Sequence, residues 1–458
     1  MNRRMTRILP YLDILKLVWP LALGMVNNAA MQFVDRAFLA AESMESLEAV
    51  LPASTLAWVF MSFFQSVVGY SGVFVAQYHG AGDALSARSS YRAGMWIAAL
   101  SGLLLLALVP LGGVVFSAAA KSADVALRER AYFDIVLLGG FFVCAQTASA
   151  AYFTGRGMTR IVYWVNLAGN LLNVALDPLF IFTFGLGISG AAIATVVSQG
   201  LQLAVLAALA ARGANAERVP FLDMSSIARI LKFGIHAGGY DTLNMLSFTI
   251  FVFVTGAMDP VDFAASNACF SVNYLVFAPM LGFSLGAQTL VGQSLGRGDH
   301  DGADVALKRT LLLGMAFVAI VCAAILALNG PILSLFSPGE PADAARFAKT
   351  GFSLLCFMSA WMLFDALDTI LSGALKGAGD TRFVFFWMLF SAFAVWLPLV
   401  FAVKARGGGM CALWSTMVFY VVFISLGSLA RWRFGKWRKI AMIQARGEAI
   451  CENHADMI

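Results

Sequence analysis

The chain has 458 residues, 60% of them hydrophobic and only 12% charged, against roughly 45–50% and about 25% in soluble domains. That balance excludes a soluble enzyme or binding module and identifies a membrane protein. The net charge of +5 is explained by the side of the bilayer on which the basic residues fall, not by nucleic-acid binding.

Apolar runs of about 20 residues, enough to cross a bilayer at ~1.5 Å per residue, recur from end to end without strand-like alternation. Twelve spans are expected: 12–40, 50–78, 91–118, 130–153, 161–184, 187–211, 229–256, 262–290, 307–335, 347–375, 381–404 and 408–431. The opening MNRRMTRILPYLDILK reads as a retained first span, because its apolar part is too long for a signal peptide and lacks a small-residue cleavage site. Span 1 then stacks Asn28, Gln32 and Asp35 at i, i+4, i+7, on one helical face. Span 5 does the same with Asn166, Asn170, Asn173 and Asp177, and Pro178 follows at once. Proline removes a backbone donor and disfavours helical geometry in the residue before it, so a kink is expected beside Asp177. Thr195, Gln199 and Gln202 give span 6 a polar seam.

The polar stretch around Pro220 joins two halves. Span 7 offers Tyr240, Asp241 and Asn244, span 8 Asn267, Ser271 and Tyr274, and span 10 Trp361, Asp365, Asp368 and Ser372 along one face. The basic tail RWRFGKWRK (431–439) reads as a membrane-surface anchor. Five cysteines fall inside spans and Cys451 lies in the tail, with no paired spacing for a disulfide or metal site.

Two motifs recur. QYHGAGD (77–83) and QSLGRGD (293–299) share QxxGxGD at an offset of 216, and GRGMTR (155–160) and GAGDTR (377–382) share GxGxTR at 222. Their glycines suit helix ends needing φ > 0, with Asp83, Asp299, Thr159 and Thr381 as expected caps. The expected fold is an all-α polytopic membrane protein, its twelve transmembrane helices forming two six-helix bundles related by a pseudo-two-fold axis along the membrane normal. The expected division is an N-terminal lobe at 1–215, a cytoplasmic linker at 216–228, a C-terminal lobe at 229–435 and a cytoplasmic tail at 436–458. On this layout 23 Lys and Arg fall on one side and 7 on the other, with Arg36 inside span 1. The positive-inside rule then puts both termini in the cytoplasm of a multi-pass protein of the cell's inner membrane.

An Asp at the bilayer centre costs about 2.5–3.5 kcal/mol and usually faces the bundle interior or water. Asn and Gln seams alone are adequate as helix-to-helix glue. Asp35 and Asp177 are different, since Asn would keep the hydrogen bonding at less cost; retaining the acid points to a group that must hold and release a cation.

With these acids in a six-plus-six repeat, the chain resembles the multidrug and toxic compound extrusion family, within the superfamily that also contains polysaccharide flippases. The resemblance covers residues about 14 to 430 and rests on Pro20 with VDRAFLA (34–40), the four glycine motifs, the run from Asn173 to Phe180, GLGISGAAIAT (185–195) and FDALDTILSGALKGAGDTR (364–382). It implies a V-shaped central cavity and export of organic, often cationic drugs in exchange for H⁺ or Na⁺, by a transporter and not an enzyme, with no other cofactor. Position by position it implies a cation site, for a proton or Na⁺, at Asp35, Asn173, Asp177 and Thr195, and matches Asp365 to a second acid site. Where many sodium-coupled members carry Glu in span 7, this chain has Asn244, with Asp241 one turn earlier; Ala40 replaces a usual Gly and Arg36 a small polar residue.

The expectation is a monomeric antiporter in which Asp35 and Asp177 share one exchangeable cation. Asp365, Asp368, Asp241 and Asn244 form the second acid site, and Asn28, Gln32, Tyr240, Asn267, Tyr274 and Trp361 are candidates for the substrate cavity. A flippase for a lipid-linked precursor is the alternative; it would be expected to line its cleft with Arg or Lys, whereas the spans offer acids, with Arg36 the only base expected to be buried.

Overall fold

The computed structural model describes residues 10–119, 122–212, 220–337 and 341–443. The first half comprises α1 (Tyr11–Glu42), α2 (Met44–Gly69) continuing into α3 (Ser71–Gly80), α4 (Ala84–Ala119), α5 (Ala123–Leu138) and α6 (Gly140–Gly155), α7 (Thr159–Pro178) and α8 (Gly187–Arg212). The second comprises α9 (Met224–Gly256), α10 (Pro260–Gly296), α11 (His300–Ala327) with the short α12 (Asn329–Ser334), α13 (Pro341–Gly377), α14 (Thr381–Leu389), α15 (Leu397–Ala405) and α16 (Met410–Phe434). Each of the twelve expected spans is matched by one helix or consecutive pair. The helices run past the apolar stretches, beginning at 84 and not 91, and at 300 and not 307, because their end turns are polar and hydropathy registers only the membrane-buried part. Residues 213–219, across the expected boundary of lobe and linker, and 444–458, within the expected tail, lie outside the described residues.

Ten of these spans pass as membrane-crossing by length and hydropathy alone, and the pair α5 and α6, bent by 46°, makes an eleventh. The bend falls at Gly139-Gly140, where Val196 and Leu105 pack so closely that a Cβ would meet them at 2.3 and 2.5 Å. The twelfth, α9, is long enough at 33 residues but carries the polar residues His236, Tyr240, Asp241 and Asn244.

The expected kink at Pro178 takes another form. Asp177 and Pro178 stay helical, and the chain then widens into a π-helical turn, Leu179–Thr183, with Phe184 N–H bonding back to the Leu179 carbonyl. The missing proline donor is absorbed by repacking the helix over one wide turn, so Asp177 keeps its helical direction. A second π segment, Phe390–Trp396, precedes Pro398 in the other half.

Gly82 and Gly298 have φ of 76° and 72°, and Gly157 and Gly379 of 77° and 85°, as the recurring motifs require. Asp83 and Asp299 cap α4 and α11 by accepting from Ser86 N and Gly302 N. Thr159 and Thr381 do not cap: each is the first residue of its helix, preceded by Met158 and Asp380, and Asp380 pairs instead with Arg431 at 2.6 Å.

The glycines preceding those turns seat a reciprocal crossing of α3 and α10. A Cβ on Gly80 would lie 2.1 Å from the Gln293 carbonyl oxygen, and one on Gly296 1.8 Å from that of Gln77. Gln77 donates from Nε2 to the Gly377 carbonyl at 3.0 Å and Gln293 to the Gly155 carbonyl at 2.8 Å. Further close approaches join the halves on the same side, Ala22 to Gly282, Val18 to Gly286 and Val67 to Gly234. Farther along α1 and α10, Gln32, Phe33, Asn267 and Tyr274 are exposed.

The basic tail is folded, with Arg433, Lys436, Arg438 and Lys439 exposed. Beyond Arg431, Trp432 and Trp437 are buried and stack on each other at 4.1 Å, while Arg433 and Phe434 stay exposed.

Candidate cation site

Asp177 ends the polar face of α7 and is fully buried. The carboxyl of Asp35, from α1, is its acidic neighbour. Neither Asp177 oxygen receives a hydrogen bond from any of the described residues, although a buried carboxylate ordinarily needs several donors or a cation. Asn173, one turn earlier on α7, sits between Asp35 and α8. In the amide orientation that satisfies both neighbours, its nitrogen donates to Asp35 Oδ1 at 3.0 Å and its oxygen accepts from Thr195 N at 3.2 Å. The Thr195 hydroxyl donates to the Ala191 carbonyl at 3.0 Å. The structure thus gathers Asp35, Asn173, Asp177 and Thr195, from three helices, into one cluster of hard oxygen atoms. Such a donor set suits a proton or a cation such as Na⁺.

Tyr132 on α5 stands near enough to both acids to feel their charge. Sequence spacing did not single it out because its polar neighbours on α5, Asp124 and Arg128 at i−8 and i−4, lie ahead of the expected span. Below the acids, the amides bond helix to helix: Asn170 Nδ2 donates to Asn28 Oδ1 at 2.7 Å, and Gln146 on α6 donates to Asn166 at 3.0 Å and Gln202 at 3.3 Å. Gly169 makes room for that network, since a Cβ would lie 2.2 Å from Gln202 Nε2. Gln146 was missed in the sequence; its one signal was an amide within an apolar run. Asn28 is therefore engaged inside the first half, while Gln32 is exposed.

In the second half the four expected acid-site residues divide. Asp368 is buried, accepting from Ser428 Oγ at 2.6 Å and from the Tyr240 hydroxyl at 3.5 Å, and Asp365 lies near enough to feel its charge. Asp241 belongs to the contact between the halves, where Lys376 Nζ meets it at 2.8 Å and Ser66 Oγ, from α2, donates at 2.7 Å. Asn244 sits one turn farther along α9, partly buried. Lys376 stands just ahead of the GAGDTR motif, and nothing in its own span marks it as a partner of Asp241. Its ammonium lies 4.1 Å from the centre of the Tyr240 ring. Trp361 packs in the core against Trp414 at 4.9 Å, and Tyr240 is likewise buried, so neither lines open space; Asn267 and Tyr274 are exposed on α10.

Known proteins carry the same architecture. The chain is 26% identical to a probable multidrug resistance protein NorM of Bradyrhizobium diazoefficiens, over 88% of this chain and 89% of the relative. It is 25% identical to a probable multidrug resistance protein NorM of Thermotoga maritima, over 94% of each. Among solved structures, a MATE in complex with MaL6 superposes with a TM-score of 0.84 at 18% identity, covering 96% of this chain and 100% of that one. A MOP superfamily transporter from Pyrococcus furiosus gives 0.83 at 18% over the same shares. The MatE family model matches twice, over residues 20–179 and 241–402, once in each half and in agreement with the internal repeat. Two matching halves, twelve spans and full-length relatives lead to one conclusion: the chain belongs to the MatE family, the multidrug and toxic compound extrusion transporters.

Proposed function

We propose that this protein is a secondary active multidrug exporter of the bacterial inner membrane, a monomer that expels organic, often cationic compounds in exchange for a cation bound between Asp35 and Asp177. The observation that carries this reading is the fully buried Asp177, whose two oxygens meet no donor among the described residues while a second acid neighbours them. Such a pair is costly unless a proton or metal cation neutralises it, and it releases that cation when water reaches it.

The coupling ion in this reading is H⁺. Residues 1–215 and 229–435 are the two lobes, with the cytoplasm on the side of the Gln77 and Gln293 crossing. The lobes are closed there and open to the outside, where Gln32, Asn267 and Tyr274 meet substrate. Protonation of the acid pair removes its charge and lets the π-helical turn after Pro178 repack, releasing substrate outward. Deprotonation to the cytoplasm resets the site. Each pH unit of gradient supplies ~1.4 kcal/mol per proton, and each 100 mV about 2.3 kcal/mol per charge moved. Asp365 and Asp368 form a second acid pair that attracts cationic substrate. A lipid-linked precursor flippase is less well supported, because the polar side chains buried in the first half, among the described residues, are hydroxyls, amides and acids and not bases for a pyrophosphate.

Efflux of a fluorescent cation from proteoliposomes, with pH and Na⁺ gradients imposed separately, tests the proposal. Acceleration by the pH gradient and its loss in D35N and D177N are expected. Coupling to Na⁺ alone would overturn the proton assignment, and efflux indifferent to both gradients would overturn antiport.

A further inference from the structure

After α16 the chain turns at Gly435, forms a 3₁₀ turn at Lys436–Lys439 and continues to residue 443. The cation reading makes no use of this segment, yet it is well seated. Trp437 is almost wholly buried and donates from Nε1 to the Trp432 carbonyl at 2.7 Å. Arg438 pairs with Asp304, which also accepts from Trp432 Nε1 at 2.8 Å. These contacts anchor the segment in the second half.

Its far end reaches into the first. Met442 is buried, with its sulfur 3.1 Å from Gln77 Nε2 and 3.9 Å from the Tyr70 hydroxyl. Those same two groups hold the halves together, Gln77 on the Gly377 carbonyl at 3.0 Å and Tyr70 on the Lys376 carbonyl at 2.7 Å. Ile440 and Ile443 pack on the apolar cluster of the first half. Gly379 makes the space, since a Cβ there would lie 2.6 Å from the Met442 sulfur. A segment fixed to one half, with a side chain wedged onto the bonds that close the seam, has to move before the seam parts.

We infer that residues 435–443 form a strap across the seam and that Met442 is a positioning residue, holding Gln77 in its bond to Gly377 so that this side opens only after the strap lifts. The inference rests on the two access states proposed above. Its test needs neither substrate nor gradient, so failure of the strap leaves the coupling proposal standing.

The measurement is amide hydrogen exchange, by mass spectrometry, of the full chain in lipid, at residues 76–82 and 293–298. Met442→Ala is expected to raise exchange at both segments about tenfold, equivalent to about 1.4 kcal/mol, with α11 unchanged. Met442→Leu, which keeps the apolar volume, should restore the parent rate. Trp437→Ala, which unseats the strap without touching Gln77, should reproduce the effect of Met442→Ala. A rise spread evenly through α4 and α11 would mark plain destabilisation and overturn the inference, as would unchanged exchange at the seam in both alanine variants.

Discussion

Gln77 and Gln293 make the same bond in opposite directions: each donates its side-chain amide to a glycine carbonyl of the other half, at 3.0 and 2.8 Å. Because each bond exists only while the seam is closed, removing it acts on the balance between access states more than on the fold of either half. Each bond contributes about 1 kcal/mol, so Q77A/Q293A should lower the closed form by about 2 kcal/mol, roughly thirtyfold in population. Spin-label distances between α4 and α11 read this directly. A distribution identical to the parent's would mean that the crossing is held by glycine packing alone.

Asp177→Asn separates transport from stability. The amide would donate to Asp35 and would relieve a buried carboxylate that has no donor among the described residues. Thermal unfolding in detergent should therefore occur at the parent temperature or above it, while gradient-driven efflux falls at least about tenfold, the pattern of a site whose activity is held at a cost in stability. A less stable protein with intact efflux would contradict this.

Lys376 and Asp241 should show energetic coupling. Their pair is half-screened, with the lysine side chain 12% exposed and the aspartate 37%, so K376M is expected to cost about 1–2 kcal/mol, below the range for a fully buried pair. D241N should then recover much of that loss in the double variant, giving a coupling energy of about 1 kcal/mol in a double-mutant cycle. Additive losses would place the lysine's role in its contact with the Tyr240 ring.

Asp223, ahead of α9 and outside the spans, offers a pH test. Burial pushes its carboxyl up, but hydrogen bonds from Ser226, Ser89 and Ser225 outweigh burial and hold it well below the usual carboxylate range. A depressed folded-state pKa contributes stability above the unfolded value of about 3.9, and that contribution is lost as pH falls through the folded value. D223A should therefore be less stable than the parent at neutral pH, by about 1 kcal/mol for a lost helix cap, with the gap closing in strong acid. A gap independent of pH would exclude the carboxylate as its source.

What could be read in the sequence follows a physical divide. The spans, the repeat and the α7 face from Asn166 to Asp177 were legible because each is a periodic or duplicated pattern along one helix. Gln146, Tyr132 and Lys376 were not, because each acts across a helix boundary and leaves no period in its own span. The π-helical turn after Pro178 escaped for a related reason: proline signals a missing donor but not how the neighbouring turns reorganise around it. Trp361 shows the limit of face arguments, since it shares a face with Asp365 and Asp368 yet finds Trp414 and Phe270, which only packing reveals. In the tail, likewise, the stacking of Trp432 on Trp437 is visible only in the packing.

The exchanged glutamines also bear on symmetry. A contact in which residue i of one copy meets residue j of the other, and j meets i, is the isologous contact of a symmetric homodimer. Gly80 against Gln293 and Gly296 against Gln77 preserve that arithmetic inside a single polypeptide. The seam therefore has the geometry of a two-fold homodimer interface within one chain, whereas the acids on either side of it do not repeat.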